Sequence, residues 1–280
     1  MPLFRADALS RALGTAPDAD ALTYISTAGV VKLKQQVAIC ELVSFLKAQS
    51  LWTTAGGIFL FGSNGGNATG TSLTDVKGGT AATLTSGTIQ TNGIFLDGAS
   101  ANQISFGART FTNNYMPSVY LLFNSFVRST TSTSNRINFG PLSQQSSYRG
   151  FQPHTHGGTG SSSNIQLQCY RGDGSRYLGT GILDGSYGVA SFVGCAFSSN
   201  DQKWYGGSNS FAQGTTSSVL TTLSFAAGAT WLLGPFENGS TTSTEQTIAS
   251  ACIFWDSNTT LTNAFVAQLD DLVRKCVLSS

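Results

Sequence analysis

The sequence predicts a mainly β protein, an antiparallel β-sandwich preceded by a helical leader and closed by a C-terminal helix. Three observations carry this. Charged residues make up only 10% of the 280 positions, against roughly a quarter in an ordinary soluble domain, while 36 Ser, 33 Thr and 32 Gly fill 101 positions. Between Gly57 and Trp255, short apolar or alternating runs recur with Gly, Ser, Asn and Thr between them, the signature of short strands joined by turns. Long helical spacing of apolar residues is concentrated at the two ends.

The same composition excludes several classes. Disorder needs low hydrophobicity with high net charge, and this chain has 40% hydrophobic residues, 18 Phe, 8 Tyr and a net charge of +1. A nucleic-acid binder needs a basic face, and none is visible. No run approaches about 20 apolar residues, the length of a spanning helix, so no membrane partner is expected. The start, MPLFRADALSR, has no apolar core of a secretory signal. Five cysteines (Cys40, Cys169, Cys195, Cys252, Cys276) are odd in number and show no CxxC spacing, so free buried thiols are expected, with oxidation of one pair left open.

Each element follows in order. Residues 1–17 read as an N-terminal arm: Leu3, Phe4, Leu9 and Leu13 make a short amphipathic piece that Gly14 and Pro17 break. Residues 18–56 form the leader, with Asp18 or Asp20 as cap of a helical turn over Ala21–Ala28. A longer helix follows over Lys32–Leu51, where Leu33, Val37, Cys40 and Val43, with Ile39, Leu42, Phe45 and Leu46, give a wide buried stripe. Residues 57–280 are the sandwich and its closing helix. Strands are predicted at Ile58–Phe61, Thr88–Leu96, Gln103–Phe106, Ser118–Val127, Arg136–Phe139, Ile165–Tyr170, Tyr187–Phe197, Gln202–Tyr205, Ser218–Phe225, Thr230–Leu233 and Ile248–Trp255. Ser118–Val127 is apolar on both parities, so it is expected to be covered on both faces. Gly62–Thr74, Gly157–Ser163 and Gly239–Thr244 read as surface loops. Leu261–Leu278 returns to helical spacing, with Asp270, Asp271, Arg274 and Lys275 on the polar side.

Catalysis needs convergent titratable groups, and these are scarce. Asp97, Asp173, Asp184 and Asp201 have no acidic neighbour at a spacing that would aim two carboxylates into one cleft. Glu237 and Glu245 fall in a loop-like stretch, and the sequence is read as non-catalytic, without a cofactor. The two histidines, His154 and His156 in QPHTHGG, share a face if the segment is extended, a weak metal motif that a three-fold repeat would complete. Pro153 and Gly157-Gly158 favour an exposed loop with two ordinary histidines instead. The Asp-Gly pairs at Asp173 and Asp184 read as turns, not calcium loops. Trp204, Tyr205, Tyr170 and Tyr177 sit among amides, hydroxyls and glycines. That chemistry suits a glycan, which stacks on aromatic faces and hydrogen-bonds neutral groups; packing within the sandwich is the other reading.

Two stretches carry a resemblance. They are Gly93–Phe106, GIFLDGASANQISF, read as strand, Asp97-Gly98 turn and strand, and Thr230–Val273, read as a core strand through Ile253-Phe254-Trp255-Asp256 followed by a helix opening at Leu261-Thr262-Asn263-Ala264. This order resembles concanavalin-A-like (laminin-G-like) jelly-roll modules. Together with Asp18-Ala19-Asp20-Ala21, Tyr24-Ile25 and the helix to Trp52, it is similar to bacteriophage virion proteins, tail-associated or fibre-like. The resemblance implies a structural protein of the virion, made in the host cytoplasm and acting in particle assembly and surface display. It also implies a homo-oligomer, with a trimer favoured, and other virion proteins as partners. The arm residues Leu3, Phe4, Arg5 and Leu9 are the candidate docking anchors. Of the 29 charges, 13 lie in residues 1–50 and 261–280, which makes the helical ends the expected assembly contacts. The alternative function is a lectin-like carbohydrate-binding module that attaches to a host-surface glycan.

Overall fold

The computed structural model describes residues 6–96, 103–111, 117–126, 135–141, 150–155, 164–170, 176–184, 188–194, 203–207, 212–215, 228–235, 247–255 and 262–278. Helices α1 (Ala6–Leu13), α2 (Ala19–Ala28) and α3 (Leu33–Ala48) come first. Strand β1 (Ala55–Leu60) and the single turn α4 (Gly62–Gly65) follow, then β2 (Ser72–Leu73), β3 (Ala82–Leu84), β4 (Thr88–Gln90), β5 (Gly93–Leu96), β6 (Ile104–Arg109) and β7 (Ser118–Phe126). The second half holds β8 (Asn135–Pro141), β9 (Gly150–Thr155), β10 (Asn164–Tyr170), β11 (Arg176–Asp184), β12 (Gly188–Gly194), β13 (Lys203–Gly207), β14 (Ala212–Thr215), β15 (Ala229–Pro235), β16 (Thr247–Trp255) and the closing helix α5 (Asn263–Val277).

Every ladder is antiparallel, and the strands form two sheets. One runs β14-β13-β12-β7-β16-β5-β4, with β1 also on β16. The other runs β11-β10-β9-β8-β15-β6-β3-β2. The fold is therefore the predicted sandwich, with a third layer of helices on the outer side of the first sheet.

Two apolar clusters hold the layers together. Between the sheets, Phe59, Val119, Leu121, Phe123, Cys252 and Phe254 meet Ile104, Phe106, Phe139, Trp231 and Leu233. Rings dominate there: Phe59 and Phe106 lie 5.1 Å apart, Phe106 and Phe254 5.5 Å, and Phe111 stands edge-on to Trp231 at 4.8 Å. These are separations at which aromatic pairs attract beyond simple burial. On the other side of the first sheet, Ile58, Leu60, Tyr120, Leu122, Ile253 and Trp255 receive Ile39, Leu42, Val43 and Leu46 of α3 and Val266, Leu269 and Val273 of α5. The alternation of β7 between the two clusters explains why Ser118–Val127 read as apolar on both parities. Cys40, Cys252 and Cys276 are free and buried.

Local chemistry sets the helix ends as expected. Asp18 caps α2, its Oδ1 accepting from the Asp20 backbone N–H at 2.9 Å, and Gly29 ends it with φ 72°. Thr262 caps α5 by accepting from the Phe265 N–H at 3.2 Å.

Other readings change. The arm is not free: Leu9 is 0% exposed because α1 packs on α3 and joins the helix-side cluster, so Leu9 is no docking anchor. Leu3, Phe4 and Arg5 lie outside the described residues. Among the charges at the helical ends, Lys47 pairs with Asp18 and Asp20, Arg274 with Asp270 and Lys275 with Asp271. Asp270 is not on a solvent face; it is 8% exposed and takes part in the sheet–helix contact. Thr88–Leu96 is two strands, because Thr91 and Asn92 turn the chain between the paired Gln90 and Gly93. The strands read on either side of Asp97-Gly98 fall in different sheets, β5 in the first and β6 in the second. Gly62–Thr74 is not a plain surface loop, since Asn64 and Asn67 within it are buried. Pro153-His154 lies in strand β9, not in a loop. The predicted strand Ser218–Phe225 and the Asp97-Gly98 turn lie outside the described residues.

Candidate functional site

Strand register decides which residues share a face, because cross-strand partners stand on the same side of a sheet. In the second sheet Leu233 pairs with Phe139, Phe139 with Phe151, Phe151 with Cys169 and Cys169 with Tyr177. Leu233 and Phe139 belong to the inter-sheet core, so this rung is the inner one. The alternate positions therefore form the outer face. There Arg136 pairs with His154 and His154 with Gln166. In the next rung Gln152 pairs with Gln168, and beyond it Gly150 pairs with Tyr170 and Tyr170 with Arg176.

The alternation is clean along β10, where Ile165, Leu167 and Cys169 take inner positions and Gln166, Gln168 and Tyr170 outer ones. Strands about 4.8 Å apart and same-face residues about 7 Å apart make this a mainly polar array some 14 Å on a side, the footprint of a short oligosaccharide, with Leu178 on β11 opposite Gln168 as its apolar member. Its polar residue types are amides, an imidazole, a phenol, two guanidiniums (Arg136 and Arg176) and one carboxylate (Asp184), groups that hydrogen-bond hydroxyls. Toward the middle of the sheet the outer face changes: Leu232, paired with Gly140, is 3% exposed. The array thus belongs to β8–β11, at the end where β11 lies against β13 and β14 of the other sheet.

The four aromatics singled out from the sequence are not brought together by register. Tyr170 is on this outer face. Tyr177 shares the inner rung of Phe139. Trp204 pairs with Gly194, Gly194 with Val119 and Val119 with Phe254, so Trp204 shares the core-side rung of the first sheet. Tyr205 pairs with Val193, Val193 with Tyr120 and Tyr120 with Ile253, the rung on the helix side. His154 is on the array, and His156 lies outside the described residues. Gln152, Gln166, Gln168 and Arg136 were not singled out from the sequence, although the alternation of β10 shows two of them.

Two other polar places are built for support. The first is a cavity of about 60 Å³ between α2 and the β2–β3 connection, lined by Asp20, Thr23, Tyr24, Thr27, Thr74, Asp75, Val76, Lys77 and Gly78. It has room for a few waters and not for a sugar ring. Asp75, 3% exposed, accepts from the Ile58 and Lys77 N–H groups at 3.0 Å each. Burial pushes its carboxyl above the usual range, against those two hydrogen bonds and the charges of Arg109 and Lys77. Lys77 donates to the Thr53 and Ala55 carbonyls, and Arg109 to those of Phe106, Gly56 and Thr80. This group staples the start of β1 to its neighbours.

The second place is Asn64, whose Nδ2 donates to Asn92 Oδ1 and the Val277 carbonyl while Lys32 Nζ donates to its Oδ1. The Tyr24 hydroxyl donates to the Gly65 carbonyl beside it. Among the described residues no three His, Cys, Asp or Glu converge on a possible metal position. Asp184 is on β11, while Asp97, Asp173, Asp201, Glu237 and Glu245 lie outside the described residues.

No protein-family profile matches the chain, and no curated protein sequence does. Solved structures do. The botulinum neurotoxin serotype D binding domain aligns with a TM-score of 0.54 at 13% identity, over 79% of this chain and 53% of that one. The likeness is one of fold. The chain is a β-sandwich protein. The receptor binding domain of botulinum neurotoxin mosaic serotype C/D aligns with a TM-score of 0.48 at 15% identity, over 79% of this chain and 51% of that one. Trypanosoma rangeli sialidase aligns at 0.48 and 10% identity, over 85% of this chain and 39% of that one. This β-sandwich protein thus spans about half or less of the length of these structures.

Proposed function

We propose that this chain is a carbohydrate-binding β-sandwich module and that the outer face of β8–β11 is its binding surface. The observation that carries the reading is the register that sets Gln152, Gln166, Gln168, His154, Arg136 and Tyr170 on one face, opposite an apolar core rung. Neutral amides supply paired donors and acceptors for vicinal hydroxyls, and a tyrosine ring supplies a surface on which the apolar face of a pyranose stacks. Gly150, paired with Tyr170, puts no side chain at that position of β9. A binding sheet presented by a sandwich also accounts for the chain's economy in charge, since hydroxyl-rich strands stay soluble without it.

The test is a glycan array probed with the full chain and with Gln168→Ala and Tyr170→Ala. Binding of a saccharide class that both substitutions reduce, with the thermal midpoint unchanged, is expected. An array with no bound saccharide overturns the reading.

The resemblance of the leader and sandwich to phage virion proteins supports one further element of this proposal: the module is displayed on a particle as a homo-oligomer, a trimer by preference. With Leu9 buried, the docking residues are reduced to Leu3, Phe4 and Arg5. Particles assembled with a chain lacking residues 1–5 should fail to incorporate it.

A further inference from the structure

The proposed sugar face is not electrically even, and the unevenness assigns a class of saccharide. Arg136, His154 and Gln166 occupy one rung on three successive strands, β8, β9 and β10. Neighbouring strands are about 4.8 Å apart, so the three residues span roughly 10 Å in a straight line across the sheet. A guanidinium, an imidazole and a primary amide are all N–H donors. The other charged positions described on the outer face of β8–β11 are Arg176, paired with Tyr170, and Asp184, paired with Asn164. Both are on β11, one strand beyond this rung, and β10 contributes no charge of its own. Among the described positions, no carboxylate shares the rung.

We propose, resting on the carbohydrate reading, that the saccharide bound here is an acidic one, its carboxylate or sulfate seated on the Arg136–His154–Gln166 rung. The remaining hydroxyls then meet Gln152 and Gln168, with the ring over Tyr170. Arginine is the residue best suited to such a group, because its planar fork donates two parallel hydrogen bonds to an anion. His154 and Gln166, at the same register position on the next two strands, are donor-bearing residue types as well. The Gln–Tyr part of the face serves neutral and acidic sugars alike.

Affinity electrophoresis of the full chain tests this in native gels cast with dextran, polygalacturonate or dextran sulfate. Expected is retardation by polygalacturonate or dextran sulfate and none by dextran; which acidic gel retards separates carboxylate from sulfate. Arg136→Gln should weaken that retardation about tenfold or more, the scale of one charged hydrogen bond. Gln166→Glu, which sets a carboxylate in the rung, should abolish it. Lys34→Gln, on α3, should leave it unchanged and so exclude general adsorption of a polyanion. Retardation by dextran as strong as by the acidic gels, or acidic retardation that survives both rung substitutions, overturns the acidic assignment and leaves the carbohydrate reading standing. No retardation in any gel, together with an empty glycan array, overturns both.

Discussion

The Tyr120 hydroxyl donates to Asp270 Oδ1 at 2.7 Å across the boundary between the first sheet and α5, and Arg274 Nε donates to Oδ2 of the same carboxylate, also at 2.7 Å. A buried carboxylate is expensive unless its lone pairs are filled, and here a strand residue and a helix residue one turn away fill them. Tyr120→Phe removes the hydroxyl without changing the ring. It should cost about 1–3 kcal/mol, because a buried carboxylate loses one of its donors. Thermal unfolding of the two chains checks this; an unchanged midpoint would mean that water replaces the hydroxyl at no cost.

Asp75 gives the fold a pH dependence of definite sign. Its carboxyl is raised in the folded chain, first by burial. Its stabilising contribution is therefore full below the unfolded value near 3.8 and is lost as the pH rises through the folded one. Asp75→Asn keeps an oxygen to accept from the Ile58 and Lys77 N–H groups and cannot ionise. Urea unfolding at pH 4 and pH 7 should show the stability of wild type falling relative to Asp75→Asn as pH rises. The opposite trend would place the folded carboxyl below its ordinary range.

Gly62 stands where no side chain fits. Its φ is +83°, and an added Cβ would lie 2.3 Å from the Gly93 N and 2.6 Å from the Gln90 carbonyl oxygen. Both neighbours are backbone of the β4–β5 hairpin and cannot swing aside. Gly62→Ala should lower stability by several kcal/mol through combined strain and overlap, seen as a large drop in soluble yield and unfolding midpoint. Gly70, also at positive φ (+80°) but with open space around it, is the control and should lose only about 1 kcal/mol on the same substitution.

Much of this was legible in the sequence because local signals and tertiary packing agreed. β10 alternates without exception, β7 is apolar on both parities, and α3 and α5 carry helical stripes that the layers use. The failures have physical causes. Pro153 read as loop, yet β9 runs through it. The β8–β9 ladder pairs at Asn135–Thr155, Arg136–His154 and Phe139–Phe151, and Pro153, which has no N–H to give, takes its register partner on the other side, Leu167 of β10. The crossing from β5 to β6 could not be read, since a strand–turn–strand pattern does not say whether its strands pair with each other or with separate sheets. Nor could the division of the aromatics: Trp204 and Tyr205 are neighbours in sequence and fall on opposite faces because strand side chains alternate.

Trp204 occupies a core-side rung and Tyr170 the outer polar face, so the two residues, alike as sugar-stacking candidates in sequence, should behave oppositely. The deciding measurement is the affinity for the saccharide selected on the array, titrated calorimetrically against Tyr170→Ala and Trp204→Ala, with the unfolding midpoint recorded for each. Tyr170→Ala should weaken binding tenfold or more, about 1.4 kcal/mol, with its midpoint unchanged, and Trp204→Ala should lower the midpoint while the folded fraction binds as wild type. Loss of binding in Trp204→Ala at an unchanged midpoint, with Tyr170→Ala still binding, would contradict the proposed binding surface.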